Sequence, residues 1–207
     1  GKYGFKMTRD NYAIIDKKCK THEGFKDYYK THWGEEKRHE FLEIYEDESA
    51  TTYTDSWCKK HQDRALENFD LNIKYFDSLN RDEFSKVTND FLNRNSEFKE
   101  IEDLNEAAGI PGYYVLVIGE YCQMYIGTSN NIKRRVIQHW SKCKEFDRLI
   151  FGQVETSKLS IDSFRALDTT RIFVYYTDDI YSIEDDYIKS IPDRYCCNRT
   201  GGGLPEF

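Results

Sequence analysis

The chain has no uninterrupted apolar run approaching the ~20 residues that a membrane-spanning helix needs, and it does not open on the charged-then-apolar segment of a secreted protein. Its six cysteines lack the framework spacing of a small disulfide-stapled domain, which favours a reducing compartment. Internal repeats and low-complexity tracts are also absent. Together these absences predict a globular, cytoplasmic protein without a membrane partner.

The composition supports folded cores, but the charge is uneven along the chain. Of 207 residues, 39% are hydrophobic and 15% aromatic, against 32% charged. Residues 1–106 carry 18 basic and 24 acidic side chains, a net charge of −6, whereas residues 107–207 carry 12 and 13, a net charge of −1. The acidic first half therefore suits a protein partner, and a nucleic-acid partner needs a basic groove in the second half.

A β-hairpin is predicted near the middle of the chain. Residues 113–118 are rich in β-branched and aromatic side chains, residues 119–121 suit a turn, and residues 122–126 continue as a second strand. If the connecting loop has an even number of residues, Tyr114 and Tyr125 lie on the same face of the sheet. A loop with an odd number of residues separates them.

A helix is predicted next, over residues 131–142, because the preceding Ser129-Asn130-Asn131 segment can cap its first turn. Arg135 and His139 are four residues apart and stack along one border of its apolar stripe, facing the hairpin. The stripe consists of Ile132, Val136, Trp140 and Cys143. The segment also carries a local excess of positive charge that suits a phosphate backbone, namely Lys133, Arg134, Arg135, Lys142 and Lys144.

A carboxylate is predicted at a buried position of a later helix, residues 182–190, which follows an apolar strand over residues 171–176. Glu184 falls inside the buried arc of that helix, whereas Asp185 and Asp186 point toward water. The arc is defined by Ile183, Tyr187 and Ile188. Burying an unpaired carboxylate costs several kcal/mol, so Glu184 needs a cation, a metal or a shift in its protonation.

With these residues in this order, the second half resembles the GIY-YIG nuclease family over about residues 109–198, nearly half of the chain. The first family element is present as Gly112-Tyr113-Tyr114, with Tyr113 in place of the usual Ile, and the second is intact as Tyr125-Ile126-Gly127. The stretch between residues 146 and 171 is longer than the minimal core of the family. The remaining motif positions correspond to Arg135, His139, Glu184 and Asn198.

The resemblance implies a metal-dependent endonuclease that hydrolyses DNA phosphodiester bonds. Glu184 would hold Mg²⁺ or Mn²⁺ at the scissile phosphate, and Arg135 would offset the charge developing on the phosphorane. Tyr114 would activate or position the attacking water, while Tyr125 and His139 would complete the hydrogen-bond network. The predicted substrate-binding residues are Lys133, Arg134 and Asn198, of which the last would orient a neighbouring group or the backbone.

An alternative from another class is a nucleic-acid-binding or assembly protein that keeps this fold and has lost cleavage. The two tyrosines together with Arg135 and Glu184 favour the enzyme, because a pure binder has no need of a carboxylate among its phosphate contacts. One site per chain means that double-strand cleavage requires a homodimer or two sequential nicks.

The first half is predicted to be a separate module that selects the target or partner, so that the chain divides into residues 1–105 and 106–207. Helical stripes over residues 65–76 and 84–91, with Asn80 and Glu83 as a capping box between them, predict a helical hairpin. The predicted fold class is therefore α+β, with a partly helical N-terminal module before a small antiparallel sheet flanked by helices.

Two Cys-x-x-His pairs in the first half, Cys19 with His22 and Cys58 with His61, suit a structural Zn²⁺ site. The second pair stands where a helix begins, as in a zinc knuckle followed by a helix. The usual second Cys-x-x-Cys is absent, however, and 35 residues separate His22 from Cys58. The alternative is that both cysteines are small buried apolar side chains and both histidines lie at the surface.

Overall fold

The computed structural model of the chain describes residues 4–20, 42–142 and 144–198. These residues form five α-helices and two antiparallel sheets, which confirms the predicted α+β class with a small sheet flanked by helices. The helices are α1 Arg9–Tyr12, α2 Asp55–Asp77, α3 Arg81–Arg94, α4 Ile132–Ser141 and α5 Glu184–Lys189. The strands are β1 Lys18–Lys20, β2 Leu42–Glu46, β3 Thr52–Tyr53, β4 Lys99–Ile101, β5 Gly112–Ile118, β6 Gln123–Ser129 and β7 Arg171–Tyr176. Among the helices of this described part, none has the length and apolar content required to cross a bilayer.

The four-stranded sheet, in the order β4-β7-β5-β6, is the centre of the fold. Its strand β5 pairs on both sides, and every one of its seven residues is buried. Because side chains alternate along a strand, the sheet has an even face with Tyr114, Leu116 and Ile118. The opposite, odd face carries Tyr113, Val115 and Val117. Both faces must therefore be covered by other elements.

Helices from both halves of the sequence cover the two faces. On the even face, α2 contributes Phe69 and Phe76, and α4 contributes Ile132 and Val136. The odd face is covered by side chains of α3 and α5, namely Phe84, Phe91 and Tyr187. The predicted helical hairpin is therefore wrong in its packing: α2 and α3 are consecutive, but they lie on opposite faces of the sheet.

The predicted capping box before α3 forms only in part. The Asn80 side chain accepts hydrogen bonds from the backbone N–H groups of Asp82 and Glu83, at 3.0 Å each, so Asn80 is the N-cap as predicted. The Glu83 carboxylate does not return to the Asn80 backbone. It accepts a hydrogen bond of 2.9 Å from the Tyr195 hydroxyl and pairs with Arg194, which ties α3 to the end of the described chain.

The structure does not divide at the predicted boundary after residue 105. Strand β4 precedes that boundary but pairs with β7, where Arg171 and Glu100 add two hydrogen bonds of 2.7 Å each. On α2, the Asn68 side chain donates to the carbonyl of Val154, at 2.6 Å. The shift in composition near residue 105 reflects surface charge, which carries no information about how the core is shared.

Other element boundaries differ from prediction by up to three residues, the largest difference being the end of β6 at Ser129 instead of residue 126. Strand β7 spans the predicted residues, whereas β6 begins after Cys122, because the backbone of Cys122 is left-handed with φ 51°. Helix α5 begins at Glu184, two residues after the predicted start. Four residues, 119–122, connect β5 to β6, so the loop is even.

Removal of residues 1–105 would uncover both faces of the central sheet, because α2 and α3 both belong to that segment. We expect a fragment of residues 106–207 to lack cooperative unfolding in urea and to give a poorly dispersed amide NMR spectrum. Adding the fragment of residues 1–105 as a separate chain should restore both the cooperative unfolding transition and the dispersed amide spectrum. A fragment that unfolds cooperatively by itself would re-establish the two-module division.

Candidate active site

The β5–β6 hairpin brings the two motif tyrosines together. Because its loop has an even number of residues, Tyr114 and Tyr125 lie on the same, even face, which is one of the two arrangements that the parity argument left open, with their ring centroids 6.1 Å apart. Helix α4 lies over the same face. Its first turn is capped by the Asn131 side chain, which accepts from the Arg134 backbone N–H at 3.1 Å.

Steric contacts require glycine at both motif positions, Gly127 and Gly112. A Cβ on Gly127 would lie 2.4 Å from Cζ and Oη of Tyr114, so the Tyr114 ring can cross β6 only where a side chain is missing. Gly112 has φ +149°, and a Cβ there would lie 2.1 Å from the Tyr175 carbonyl oxygen. The two glycines therefore set the position of the Tyr114 ring and the close pairing of β5 with β7.

A chain of hydrogen bonds runs from Tyr114 through His139 to Asp162. The Tyr114 hydroxyl lies 2.8 Å from Nε2 of His139, and Nδ1 of His139 lies 2.8 Å from Oδ1 of Asp162. A carboxylate only accepts, so Nδ1 carries the imidazole proton, and Nε2 is left to accept the Tyr114 hydroxyl. Tyr114 is 0% exposed and His139 is 2% exposed, so solvent does not compete for these bonds.

Burial dominates the acidity of both phenols. It raises the pKa of Tyr114 well above its usual value, and the nearby Tyr125 adds to the increase, while the Arg135 guanidinium opposes it. The pKa of Tyr125 is raised for the same first reason and is likewise opposed by Arg135. A proton can therefore leave Tyr114 only if an acceptor is already in place, and His139 Nε2 is that acceptor.

Arg135 and Glu184 complete the group from two different helices. Arg135 is exposed on α4, donates to Oε1 of Gln138 at 3.5 Å, and acts electrostatically on both tyrosines. Glu184 is the first residue of α5, which lies beside β6, and its charge acts on the same two phenols. The structure thus brings together all five predicted catalytic residues, while their catalytic roles stay predictions.

The Glu184 carboxyl is half-buried and has a raised pKa. Burial is the main cause and the charge of Asp185 adds to it, whereas the backbone N–H of Thr128 and the guanidinium of Arg135 oppose the increase. Asp185 and Asp186 are exposed, as predicted. Within the described ranges, no cationic side chain lies within 4.0 Å of the Glu184 carboxylate.

The predicted substrate-binding residues have neighbours outside this group. Asn198 pairs with the backbone of Ile126, donating to its carbonyl at 2.6 Å and accepting from its N–H at 2.8 Å, which favours the backbone-orienting role. Lys133 donates to the side chain of Asn105. Arg134 donates to the Asn130 side chain at 3.3 Å. Cys143, which was predicted to belong to the apolar stripe of α4, lies outside the described residues.

The zinc prediction stays untested, because His22 and the side chain of Cys19 lie outside what the structure describes. Cys58 is buried, as the alternative expected, but His61 is buried too, which corrects the expectation that it lies at the surface. The His61 ring stacks on Trp57 at 4.7 Å, and its Nε2 lies 2.7 Å from the Phe146 carbonyl oxygen. Clusters of three potential metal-binding side chains do not occur in the described parts of the chain.

Asp162 is the one member of the hydrogen-bond chain that the sequence does not indicate. It lies in a short 3-10 helix, Ile161–Ser163, within residues 146–171, where no periodic pattern in the sequence marks a position near the core.

Comparisons of this chain with protein-family models, with curated proteins and with solved structures found no match.

Replacing Gly127 by alanine should force the Tyr114 ring out of its place. We expect Gly127→Ala to cost about 1–3 kcal/mol of unfolding free energy in urea, because the new methyl group meets a buried ring. Gly119→Ala is the matched control, since a Cβ there meets only the Thr170 side chain, at 3.0 Å. Equal losses in the two variants would contradict the steric role of Gly127.

Glu184 should lower the stability of the metal-free protein at neutral pH. Because its folded-state pKa is raised, the folded state holds this proton more tightly than the unfolded state, and stability falls as the pH rises through the raised pKa. In the presence of a chelator, we expect Glu184→Gln to be more stable than the wild type at pH 7 and equal to it below about pH 4. Urea titrations at both pH values measure this, and the exposed Asp186→Asn is the control. If the difference in unfolding free energy between Glu184→Gln and the wild type is the same at both pH values, Glu184 does not have a raised pKa in the folded state.

Proposed function

We propose that this chain is a divalent-metal-dependent endonuclease of the GIY-YIG kind, which hydrolyses DNA phosphodiester bonds in the cytoplasm. The observation that carries the proposal is that Tyr114, Tyr125, His139 and Arg135 lie together on the even face and the helix over it, and that the charge of Glu184, from α5 beside β6, acts on both tyrosines. Two phenols, a guanidinium, an imidazole and a carboxylate are the groups that phosphodiester hydrolysis uses.

The accessible members of the group are the ones that would contact DNA. Arg135 is exposed and Tyr125 is partly exposed, so a phosphate can reach both. The guanidinium would neutralise charge on the phosphate oxygens as phosphorus becomes five-coordinate. The positive side chains of α4 would bind the flanking backbone, with an affinity that falls as salt rises.

Tyr114 is fully covered, so it would act through its proton rather than by binding substrate, and the attacking water would reach its hydroxyl only when substrate binding displaces the groups that cover it. As the water oxygen bonds to phosphorus, the water proton passes to the Tyr114 oxygen while the Tyr114 proton passes to His139 Nε2. The phosphorus–oxygen bond to the leaving sugar breaks with its electron pair, and the leaving oxygen takes a proton from solvent. The pairing of Tyr114 with His139 removes the need for a free phenolate, which burial disfavours.

The donor set fits a single divalent cation. Glu184 offers a half-buried carboxylate without a cationic neighbour within ion-pair distance among the described residues, and Mg²⁺ is commonly held by one or two carboxylates together with substrate phosphate and water. A bound Mg²⁺ or Mn²⁺ would supply Lewis-acid stabilisation of the phosphate. One such site cuts one strand, so double-strand cleavage would require a homodimer or two successive nicks.

The complete burial of Tyr114 favours a second candidate, a nucleic-acid-binding or assembly protein that keeps the fold without cleavage. In that case the Tyr114–His139 bond serves only to satisfy two buried polar groups. Binding would then depend on the α4 cations and would be indifferent to Glu184.

Plasmid nicking tests the proposed function. With Mg²⁺ or Mn²⁺, we expect wild-type protein to nick supercoiled DNA, and Glu184→Gln and Arg135→Ala each to reduce the rate by about 100-fold or more, because each removes charge stabilisation of the transition state. Asp186→Asn, which removes an exposed charge on the same helix, is the control and should cut normally.

A panel of supercoiled, linear, branched and single-stranded DNA extends the nicking assay. Nicking that survives Glu184→Gln would remove the catalytic assignment. The absence of nicking with every metal and substrate, together with binding that Glu184→Gln leaves unchanged, would establish the second candidate.

A further inference from the structure

A carboxylate outside the family motif completes the hydrogen-bond chain of the site. Asp162 Oδ1 lies 2.8 Å from His139 Nδ1, and His139 Nε2 lies 2.8 Å from the Tyr114 hydroxyl. We propose that Asp162 is the positioning residue of His139, fixing the imidazole in the tautomer and orientation that accept the proton of Tyr114. The inference rests on the nuclease function proposed above and extends it to a residue that the motif does not contain.

The stretch that carries Asp162 is held in place on several sides. The Arg165 guanidinium donates from Nη1 to the Asp162 carbonyl at 2.6 Å. Two buried side chains of the same stretch, Ile161 and Phe164, pack into the even-face core. The carboxylate is therefore presented by an anchored segment, as positioning requires.

Helix α2 fixes the same stretch from the other side. The Asn72 side chain donates to the Ser157 carbonyl at 2.9 Å and accepts from the Leu159 N–H at 3.1 Å. Asn68 donates to the carbonyls of Val154 and Ser157, at 2.6 and 2.7 Å. Both asparagines are buried, so the first half of the chain supports the site through this connection.

The charges around His139 are suited to proton transfer from Tyr114. The groups that face the imidazole are Tyr114 from β5, Tyr125 from β6 with its ring centroid 5.0 Å away, and Asp162. Arg135, on the same helix as His139, acts electrostatically on these three groups. Among these described neighbours, Asp162 is the one carboxylate. It balances the positive charge that appears on the imidazole when the Tyr114 proton arrives.

The tautomer can be measured without any activity. Two-bond ¹H–¹⁵N NMR distinguishes the protonated ring nitrogen, and loss of the signal in His139→Gln identifies His139 among the five histidines. We expect an Nδ1–H tautomer in the wild type and in Glu155→Gln, which removes an exposed carboxylate of the same stretch. In Asp162→Ala, the population should move toward the Nε2–H tautomer.

The pH dependence of nicking supplies the second readout. Asp162→Asn keeps the shape of the side chain and removes its charge, so it should stay folded even if Asp162→Ala does not. We expect it to nick about 100-fold more slowly than the wild type near pH 7. The deficit in rate should narrow toward pH 10, because hydroxide increasingly replaces water as the nucleophile and needs no proton acceptor. Glu155→Gln should keep both the rate and the profile of the wild type, and urea titration verifies that each variant is folded.

The possible outcomes distinguish the proposal about Asp162 from the nuclease proposal on which it rests. If the Asp162 variants keep the Nδ1–H tautomer and the pH–rate profile of the wild type, Asp162 does not position His139. The proposed nuclease function is unaffected by that result. If the wild type cuts no DNA, the nuclease proposal is wrong, and the tautomer measurement alone decides whether Asp162 positions His139. A uniform rate loss at every pH with an unchanged tautomer also overturns the proposal.

Discussion

The burial of β5 on both faces is the constraint on which the rest of the structure depends. A strand that is covered along its whole length needs an apolar layer above and below, and no single helix can supply both. The chain meets this need with α2 and α4 on one face and α3 and α5 on the other. Since two of these helices precede β5 and two follow it, each face of the sheet is covered by one helix from each half of the sequence.

The same constraint explains why the candidate site contains a chain of polar groups. Tyr114 occupies a position on the even face where an apolar side chain would pack without further requirements, and a buried hydroxyl without a partner costs about 1–3 kcal/mol. His139 satisfies the hydroxyl, and Asp162 satisfies the second ring nitrogen. The polar groups therefore extend from the core to a carboxylate side chain that is 38% exposed, where hydration takes over.

Local structure could be predicted from the sequence because it depends on near neighbours. Apolar runs rich in β-branched and aromatic residues predicted β5 and β7, and asparagine side chains predicted the starts of α3 and α4. Loop parity related the loop length to the faces of the two tyrosines, but the even length itself is seen only in the structure. An amphipathic stripe, however, shows that a helix is buried without showing against what. For that reason the sequence could not place α2 and α3 on opposite faces. Asp162 lies in a non-periodic turn, and only the tertiary contacts bring it to His139.

Glu184 is the residue that distinguishes a catalytic from a purely structural interpretation. The Tyr114–His139–Asp162 chain is self-sufficient as core packing, because each of its polar groups that faces the interior has a partner. Glu184 is not required by that chain, and burial works against its ionised form. A glutamine would fit the same position without the desolvation cost of a charge. The carboxylate acts on both phenols, and the Arg135 guanidinium acts on it in turn. The proposed divalent cation, joining Glu184 when substrate binds, would account for a carboxylate at this position.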